Sequence, residues 1–401
     1  MPAALSAPPA PDRGFGVYIH WPYCARICPY CDFNVYKARP VDEGAWVKAL
    51  TDDLAAHRAL TGPRKLGSIF FGGGTPSLMS PEAVGYLIQA AARLWTPADD
   101  IEISLEANPT SAERERFEGF AAAGVNRVSL GVQSFDDAAL KALGRDHSAA
   151  EAVAAAETAR RVFPRMSLDL IYARPDQSAA AWRDELARGL ALAGDHLSLY
   201  QLTIEPGTAF AKAAARGSLI PPDEASAADL YELTQELCAA AGFPAYETSN
   251  HARAGGASRH NLIYWRMGDY VGVGPGAHGR MTREGRRFAA EAVRRPEDYL
   301  AKVSAQGVGG EETELTTAED AAERLLMGLR LAEGAKLRPI LERRGVSADA
   351  PAVVDALGEI EAAELGDFDS DARLRLSGAG RLLVDAVARR LIFAMDAADS
   401  H

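Results

Sequence analysis

The stretch VYIHWPYCARICPYCDFN, residues 17–34, decides how the rest of the chain is interpreted. It contains three of the four cysteines, Cys24, Cys28 and Cys31, at the spacing C-x3-C-x2-C. The short apolar run before the cysteines predicts a strand, and the two prolines of the stretch exclude a regular helix through them. The sequence therefore predicts a shaped loop that directs three thiolates toward one centre.

The number of cysteines favours iron over zinc. A structural zinc site is closed by four ligands, usually from two Cys or Cys/His pairs, and no second pair follows downstream. His20 could be a fourth ligand, but it continues the strand pattern that precedes the loop. Iron–sulfur clusters are held by one thiolate per iron, so Cys24, Cys28 and Cys31 would bind a [4Fe–4S] cube and leave one iron open. A zinc site and three inert thiols are the alternatives.

An aromatic residue, Tyr30, stands just before the last cysteine of this motif. The pattern resembles the signature of the radical S-adenosylmethionine (SAM) superfamily, in which the open iron chelates the amino and carboxylate groups of SAM. The preceding YIHWPYC further resembles the oxygen-independent coproporphyrinogen III oxidase branch. The resemblance extends over most of the chain and implies a [4Fe–4S] cluster and SAM as cofactors.

Strand and helix patterns alternate from residue 14 to about residue 200. The predicted strands are Phe15–Ile19, Ser68–Phe71, Ile101–Leu105, Arg127–Gly131, Ser167–Ile171 and His196–Gln201. The helices predicted between them are Glu43–Leu60, Pro81–Leu94, Ser111–Ala123, Ala149–Val162 and Ala179–Leu192. This alternation predicts parallel βαβ units. Six units do not complete an eight-stranded barrel, so we expect an α/β fold with a partial (β/α)6 barrel, as the resemblance also implies.

Three regions are expected along the chain. Residues 1–13 are rich in Pro and Ala and predict a disordered tail without the features of a signal peptide. Residues 14–295 form the barrel and a heme-binding segment. Residues 296–401 predict a small, mostly helical domain with a short strand, which resembles the winged-helix-like C-terminal domain of this family.

Composition limits the possible partners and compartments. The net charge is −12, which argues against nucleic acid as a partner and against a DNA-binding role of the winged-helix-like domain. No run of 18 apolar residues exists, so we expect no transmembrane segment. Four cysteines with three in one motif suit a reducing compartment, and we expect a cytoplasmic protein. Cys238 is expected to be a small core residue.

Unusual residues follow the predicted strands, where barrels of this kind carry their chemistry. GGGTP (72–76), EANP (106–109) and GVQSFD (131–136) each follow a predicted strand, whereas DLIY (169–172) lies at the end of one. The resemblance implies that SAM is contacted by Tyr18, Tyr30, Gly73, Gly74, Thr75, Glu106, Gln133, Arg145, Asp169, Thr203 and Ala277. Tight turns and salt bridges at the barrel rim are the alternatives. After DLIY the family pattern is broken by Arg174, an arginine that we expect near the mouth of the barrel.

A second motif, HNLIYW, lies at residues 260–265. On a helix, His260 and Tyr264 are neighbours at i and i+4, and Asn261 and Trp265 form the adjacent pair. H-N-x-x-Y-W occurs in members of this family that bind heme. The resemblance therefore implies that His260 is an axial ligand of heme iron and that the aromatic residues pack on the macrocycle. A hydrogen-bonded histidine near the core is the alternative.

Three functions share the cluster and SAM. The first is a heme chaperone that passes heme to acceptor proteins, and the second is the oxidation of coproporphyrinogen III in porphyrin biosynthesis. The third is another radical SAM reaction. The oxidases extend the cysteine motif to C-x3-C-x2-C-x-C, but Phe33 stands at the last position here. The oxidases also have a long N-terminal segment before the first strand. These differences and HNLIYW favour the chaperone, whose acceptor the sequence does not name.

Overall fold

The structure is a computed structural model that describes residues 14–369 and 373–399. The predicted tail, residues 1–13, lies outside the described residues. The strands are β1 Phe15–Trp21, β2 Tyr23–Cys24, β3 Tyr36–Lys37, β4 Lys65–Gly73, β5 Thr96–Ala107, β6 Arg127–Gln133, β7 Arg165–Tyr172, β8 His196–Gln201, β9 Asn250–Ala252, β10 Asp269–Val273, β11 His278–Arg283, β12 Arg286–Ala292, β13 Gly310–Glu314, β14 Ala335–Lys336, β15 Gly366–Phe368 and β16 Arg373–Leu376.

The helices alternate with these strands through most of the chain. They are α1 Glu43–Thr61, α2 Pro81–Leu94, α3 Ser111–Arg114, α4 Phe117–Ala122, α5 Asp137–Ala142, α6 Ala149–Val162, α7 Ala179–Leu192, α8 Ala209–Ala215, α9 Glu224–Ala240, α10 Arg259–Trp265, α11 Pro296–Gln306, α12 Thr317–Arg330, α13 Leu337–Arg344, α14 Pro351–Ala362, α15 Gly378–Leu382 and α16 Val384–Asp399.

Six parallel strands form the predicted partial barrel. Strands β1, β4, β5, β6, β7 and β8 pair in that order and in parallel, which confirms the predicted (β/α)6 arrangement. Strand β10 adds to β1 in parallel, β9 adds to β8 antiparallel, and β11, β12 and β13 extend the sheet beyond β10. The barrel is therefore open between β9 and β13.

The two faces of each barrel strand carry different residues. In β1, Val17 and Ile19 are buried in the main core outside the barrel, whereas the alternate Tyr18 and His20 face inward. In β6 the same alternation turns Arg127 and Ser129 inward, because successive side chains of a strand point to opposite faces. The helices cover an apolar outer surface, and the interior of the barrel is polar.

Local signals set the helix limits. Ser80 caps α2 by accepting a hydrogen bond from the Ala83 N–H at 3.1 Å, and Pro81 occupies its first position. The predicted limits of α2, α6 and α7 are confirmed residue for residue. The predicted helix over residues 111–123 is instead two short helices, α3 and α4, separated at Glu115 and Arg116.

A second hydrophobic core lies in the C-terminal part of the chain. It is built by α12–α16 with the small sheet β14-β16-β15, which agrees with the predicted helical domain with a short strand. The domain boundary that we expect after residue 295 stays a prediction. Tyr299 and Val303 of α11 pack into the main core, and β13 pairs with β12 in the large sheet. The second core begins in α12, after residue 316.

Within the described residues, no helix combines the length and the apolar character that crossing a membrane requires.

Candidate functional site: the two ends of the barrel

The cysteine loop lies at the end of the barrel where the parallel strands terminate. Cys24 is the last residue of β2 and is buried, whereas Cys28 and Cys31 are partly exposed. Burial raises the pKa of Cys24 to about 11, the Thr75 hydroxyl and Arg145 lower it, and the neighbouring Cys31 and Cys28 raise it. The thiols are thus close enough to influence one another, and binding iron would remove their protons.

The chemistry of these donors fits an iron–sulfur cluster. No group of three or more His, Cys, Asp or Glu side chains within residues 14–369 and 373–399 is arranged around a single metal ion. Ligands of a cube bind three different irons, so they do not need to converge on one point. The Cys238 thiol is fully buried in α9 and belongs to the main core, as the sequence predicts.

Arg145 lies directly beside the cysteine loop. Its Nη1 donates to Cys28 Sγ at 3.3 Å, and its Nη2 donates to Asn108 Oδ1 at 2.6 Å and to the Gly131 carbonyl at 2.9 Å. Its Nε is buried and donates to no atom of the described chain. A cation with an unused donor beside the thiols suits an anionic ligand such as a carboxylate.

The GGGTP loop packs tightly on the extension of β1. Gly73 has φ +107°, and a Cβ there would lie 2.5 Å from the His20 ring. A Cβ on Gly74 would lie 2.7 Å from the Tyr23 carbonyl oxygen. Thr75 is buried, and its hydroxyl accepts a hydrogen bond from Asn108 at 3.2 Å. Close packing of the protein alone therefore already requires these glycines.

Two carboxyl groups share the upper interior of the barrel. Glu106 Oε2 accepts from the Gly73 N–H at 3.1 Å, and burial followed by the charge of Asp169 raises the pKa of Glu106 to about 8. Burial also raises the pKa of Asp169, which the hydroxyls of Ser198, Ser129 and Ser167 partly offset. Both side chains can accept hydrogen bonds from ligand hydroxyls.

The other predicted SAM contacts are spread around this end. Gln133 has φ +63° at a bulge of β6, and its side chain and that of Arg145 both lie over Gly131. Tyr30 packs against Phe210 with ring centroids 6.1 Å apart. The remaining three lie apart from one another: the Tyr18 hydroxyl is 3.0 Å from His20 Nδ1, Thr203 is exposed just after β8, and Ala277 is buried between β10 and β11.

Arg174 does not lie at the mouth of the barrel, where we expected it. The side chain is buried, its Nη2 donates to Glu185 Oε2 at 2.5 Å, and its Nη1 donates to the Ile171 carbonyl at 2.7 Å. Glu185 belongs to α7, so the arginine ties the loop after β7 to the helix outside the barrel. The ion pair with the buried carboxylate of Glu185 holds the Arg174 side chain away from the mouth of the barrel.

The HNLIYW motif lies at the opposite end of the barrel, on α10. Glu102 of β5 accepts from the backbone N–H groups of Arg259 and His260, both at 3.2 Å, and so seats the start of the helix. The His260 side chain reaches Ser68, which stands five residues before Gly73 in β4. At 3.3 Å per residue the two levels are about 16 Å apart along the strand.

His260 is buried and both of its ring nitrogens have partners. Nδ1 is 2.7 Å from Ser68 Oγ, and Nε2 is 2.6 Å from the Tyr264 hydroxyl, as the i and i+4 spacing predicts. Its ring stacks on Phe70 at 5.0 Å. Burial, with the charge of Arg127, lowers the pKa of His260 to about 3. The imidazole is therefore neutral at physiological pH.

The four motif residues do not share one surface. His260 and Tyr264 face the barrel interior, whereas the guanidinium of Arg330 from α12 covers the Trp265 ring at 4.7 Å. Trp265 Nε1 is buried and has no partner in the described chain. The backbone N–H of Asn261 donates to Ser258 Oγ, the cap of α10, at 3.3 Å.

Several polar residues of the interior were missed from the sequence. They alternate along β6, β7 and β8, and this period of two is the signal that could have identified them. They are Arg127, Ser129, Ser167, His196 and Ser198. Asn108, which links Thr75 to Arg145, stood in the EANP segment but received no role.

Comparisons with known proteins agree with this architecture. The Radical SAM superfamily matches residues 18–187. The Mus musculus protein "Radical S-adenosyl methionine domain-containing protein 1, mitochondrial" is 43% identical over 337 residues, 82% of this chain and 76% of that protein. "Heme chaperone HemW" of Escherichia coli K12 is 42% identical over 71% of this chain and 75% of that protein.

Two further comparisons cover nearly the whole chain. The structure of coproporphyrinogen III oxidase (HemN) from Escherichia coli matches with a TM-score of 0.78 at 22% identity, over 96% of this chain and 91% of that one, which shows a shared fold. "Heme chaperone HemW" of Mycobacterium tuberculosis H37Rv is 38% identical over 397 residues, 96% of each chain. The chain therefore belongs to the HemW family of the radical SAM superfamily.

Proposed function

We propose that the protein is a heme chaperone, which binds heme and transfers it to acceptor proteins. The observation that carries the proposal is the 38% identity to a heme chaperone over 96% of both chains. Similarity over this length includes both ends of the barrel and the C-terminal domain. The proposal gives the protein two kinds of partner, heme and the proteins that accept it, and no nucleic acid.

The cysteine end would hold the cofactors of the superfamily. Cys24, Cys28 and Cys31 would ligate three irons of a [4Fe–4S] cluster, and SAM would occupy the space beside it. Bound SAM and cluster together supply radical chemistry in this superfamily. Arg145 offers its unused Nε to a carboxylate, and Glu106 and Asp169 accept hydrogen bonds from hydroxyl groups.

The opposite end would bind heme through α10. Iron binds neutral imidazole, and the lowered pKa of His260 keeps its ring in that form. Both ring nitrogens are engaged, so ligation by Nε2 requires that the Tyr264 hydroxyl gives up its hydrogen bond. His251, a buried imidazole whose pKa is lowered by burial to about 4, is the alternative ligand.

A coproporphyrinogen III oxidase is the second candidate, because HemN shares the fold. Phe33 argues against oxidase activity, because this residue occupies the position at which the oxidases have their additional cysteine. It is 64% exposed and packs into no core. A third candidate is a radical SAM enzyme with a different substrate.

One sample can separate these functions. Anaerobically reconstituted protein is titrated with heme, then mixed with apomyoglobin as an artificial acceptor, and separately given coproporphyrinogen III with SAM and a reductant. We expect heme binding, heme transfer and no multiple-turnover formation of protoporphyrinogen IX. Turnover without stable heme binding would establish the oxidase instead.

The proposal also concerns the compartment. All four cysteines are free in the structure, and thiols that ligate a cluster need reducing conditions. We therefore propose a cytoplasmic location. Separation of cell fractions followed by immunodetection tests this point.

A further inference from the structure

A line of hydrogen bonds crosses the barrel from Asp169 to the start of α10. Ser167 Oγ donates to Asp169 Oδ1 at 3.0 Å and lies 2.8 Å from His196 Nδ1. His196 Nε2 lies 2.8 Å from the Tyr246 hydroxyl, which accepts from the Ser258 N–H at 3.4 Å. Ser258 is the cap residue of α10. The line therefore joins a proposed SAM contact to the helix that carries HNLIYW.

The donors and acceptors fix the direction of this line while Asp169 is ionised. A carboxylate can only accept, so Ser167 donates its single proton to Asp169, and its oxygen accepts from His196 Nδ1 and from the Ser198 hydroxyl, which lies 3.2 Å away. His196 then carries its proton on Nδ1, and Nε2 accepts from Tyr246. The Tyr246 oxygen accepts in turn from the backbone of Ser258, so every group in the line has a defined role.

Charged neighbours keep the imidazole of this line neutral. Burial holds the pKa of His196 well below its usual value, and the charges of Arg127 and Arg165 lower it further. Glu106 faces Asp169 from β5. A neutral imidazole carries one N–H proton, so at any time one ring nitrogen of His196 donates a hydrogen bond and the other accepts one.

The same groups allow the opposite direction when Asp169 carries a proton. Asp169 then donates to Ser167, Ser167 donates to His196 Nδ1, and His196 Nε2–H donates to the Tyr246 oxygen. The Tyr246 proton needs a new acceptor, and the side chain of Asn261 lies near that hydroxyl. A ligand that donates a hydrogen bond to Asp169 stabilises the carboxylate and so favours the first direction.

We propose that Asp169, Ser167, His196 and Tyr246 form a directional relay that couples ligand binding at Asp169 to α10. The inference rests on the proposed function, which puts SAM at one end and heme at the other. His196 and Tyr246 are positioning residues, because they act through their neighbours. Coupling between two sites is reciprocal, so SAM should change the heme affinity by about 5-fold or more, a typical lower value, and heme should change the SAM affinity by the same factor.

The protonated nitrogen of His196 tests the relay without any cofactor. The metal-free protein is labelled with 15N-histidine, and the His196 signals are assigned by comparison with His196→Gln. Nitrogen chemical shifts distinguish the two tautomers. The relay requires the proton on Nδ1 at pH 8, and a proton on Nε2 would overturn it.

Binding measurements test the coupling itself. The heme dissociation constant of cluster-loaded protein is measured with and without SAM in the wild type, Tyr246→Phe and Tyr231→Phe. Tyr231 is a matched control, since its buried hydroxyl has no partner in the described chain. We expect the ratio of the heme dissociation constants with and without SAM to fall below about 2-fold in Tyr246→Phe. In Tyr231→Phe the ratio should stay at the wild-type value.

The outcomes separate the relay from the proposed function. A wild type that shows no SAM effect, or a Tyr246→Phe variant that keeps it, overturns the relay while heme binding stands. A wild type that binds no heme overturns the proposed function. In that event, hydrogen exchange of the α10 amides with and without SAM decides the relay, and equal exchange rates overturn it.

Discussion

Glu106 shows how the barrel interior changes the chemistry of a single residue. Its half-buried carboxyl group lies near Asp169, and burial together with that charge raises its pKa to about 8 from its usual 4.5. Between these two pH values the folded protein keeps the proton that the unfolded chain loses. The free energy of unfolding should therefore decrease as pH rises through this range.

We expect Glu106→Gln to stabilise the cluster-free protein, and more so at pH 8.5 than at pH 5. The amide carries no charge, so the cost of burying a carboxylate disappears, with a gain of about 1 kcal/mol or more at the higher pH. Denaturant unfolding at both pH values measures it. Glu232→Gln, an exposed position of α9, is the control. An equal gain at both pH values would contradict the raised pKa.

Arg145 can be tested as the proposed partner of the SAM carboxylate. We expect Arg145→Ala to weaken SAM binding about 10-fold or more, because one charge-assisted hydrogen bond of roughly 1.5–3 kcal/mol is lost. Arg145→Lys keeps the charge but not the planar fork, and should recover only part of the affinity. Calorimetry on cluster-loaded samples checks both, with iron content as the control because Arg145 also contacts Cys28. Wild-type affinity at full iron content would exclude this role.

At this scale the sequence predicted the kinds of residue better than their partners. The cysteine spacing and the resemblance brought Glu106, Arg145 and Asp169 to one end of the barrel. The side-chain direction of Arg174 depended on Glu185, eleven residues away on α7, and no local pattern contains that contact. Buried ion pairs form between whichever groups the fold brings together.

The helix α10 shows which contacts the spacing of residues can predict and which it cannot. The spacing predicted that His260 and Tyr264 are neighbours, and a 2.6 Å contact joins them. The spacing could not predict where this short helix docks, because its position depends on Glu102 and Ser68 from distant strands. The same holds for Trp265, which lies under Arg330 of the C-terminal domain.

Tyr264→Phe tests whether His260 Nε2 binds the heme iron. The hydroxyl competes with iron for this nitrogen, and a hydrogen bond is worth about 1 kcal/mol, so its loss should tighten heme binding by about 3- to 10-fold. In the proposed heme site, the phenyl ring of the variant would still pack on the macrocycle. Heme titration followed by Soret absorbance measures the change, with Tyr231→Phe as the matched control. Weaker binding would show that the hydroxyl, not the histidine, contacts heme.

In the whole molecule, local patterns predicted the barrel but could not indicate the boundary at which its core and sheet end. Alternating strands and helices of about the right length predict βαβ units from local patterns alone, and all six strands are found. The boundary depends on β13, which pairs with β12 across a helix, and on Tyr299, whose hydroxyl donates to Asp53 at 2.7 Å. Both contacts join residues far apart in the sequence, and composition does not encode them.

Part of the length of the barrel separates the two proposed sites, and Tyr18, a predicted SAM contact whose ring stacks on that of His260 at 6.3 Å, lies between them. Gly73 beside the cysteine loop and Ser68 beside His260 differ by about 16 Å along β4. Within residues 14–369 and 373–399, no side-chain hydrogen bond or ring contact joins the cysteine loop directly to α10. Loss of the cluster should therefore leave the heme site intact.

We expect the variant with Cys24, Cys28 and Cys31 all replaced by Ala to bind heme within about 3-fold of the affinity that the wild type shows without SAM, a difference smaller than one hydrogen bond. SAM should no longer change that affinity, because its open iron is absent. Cys238→Ala, with both cluster and heme binding kept, is the matched control for loss of a thiol. His260→Ala should show the reverse pattern, a full iron–sulfur content with most of the heme affinity lost. Heme titration and iron analysis of the same samples measure both. Loss of heme binding in the triple variant would show that heme binds at the cysteine loop. Both proposed sites would then lie at the same end of the barrel.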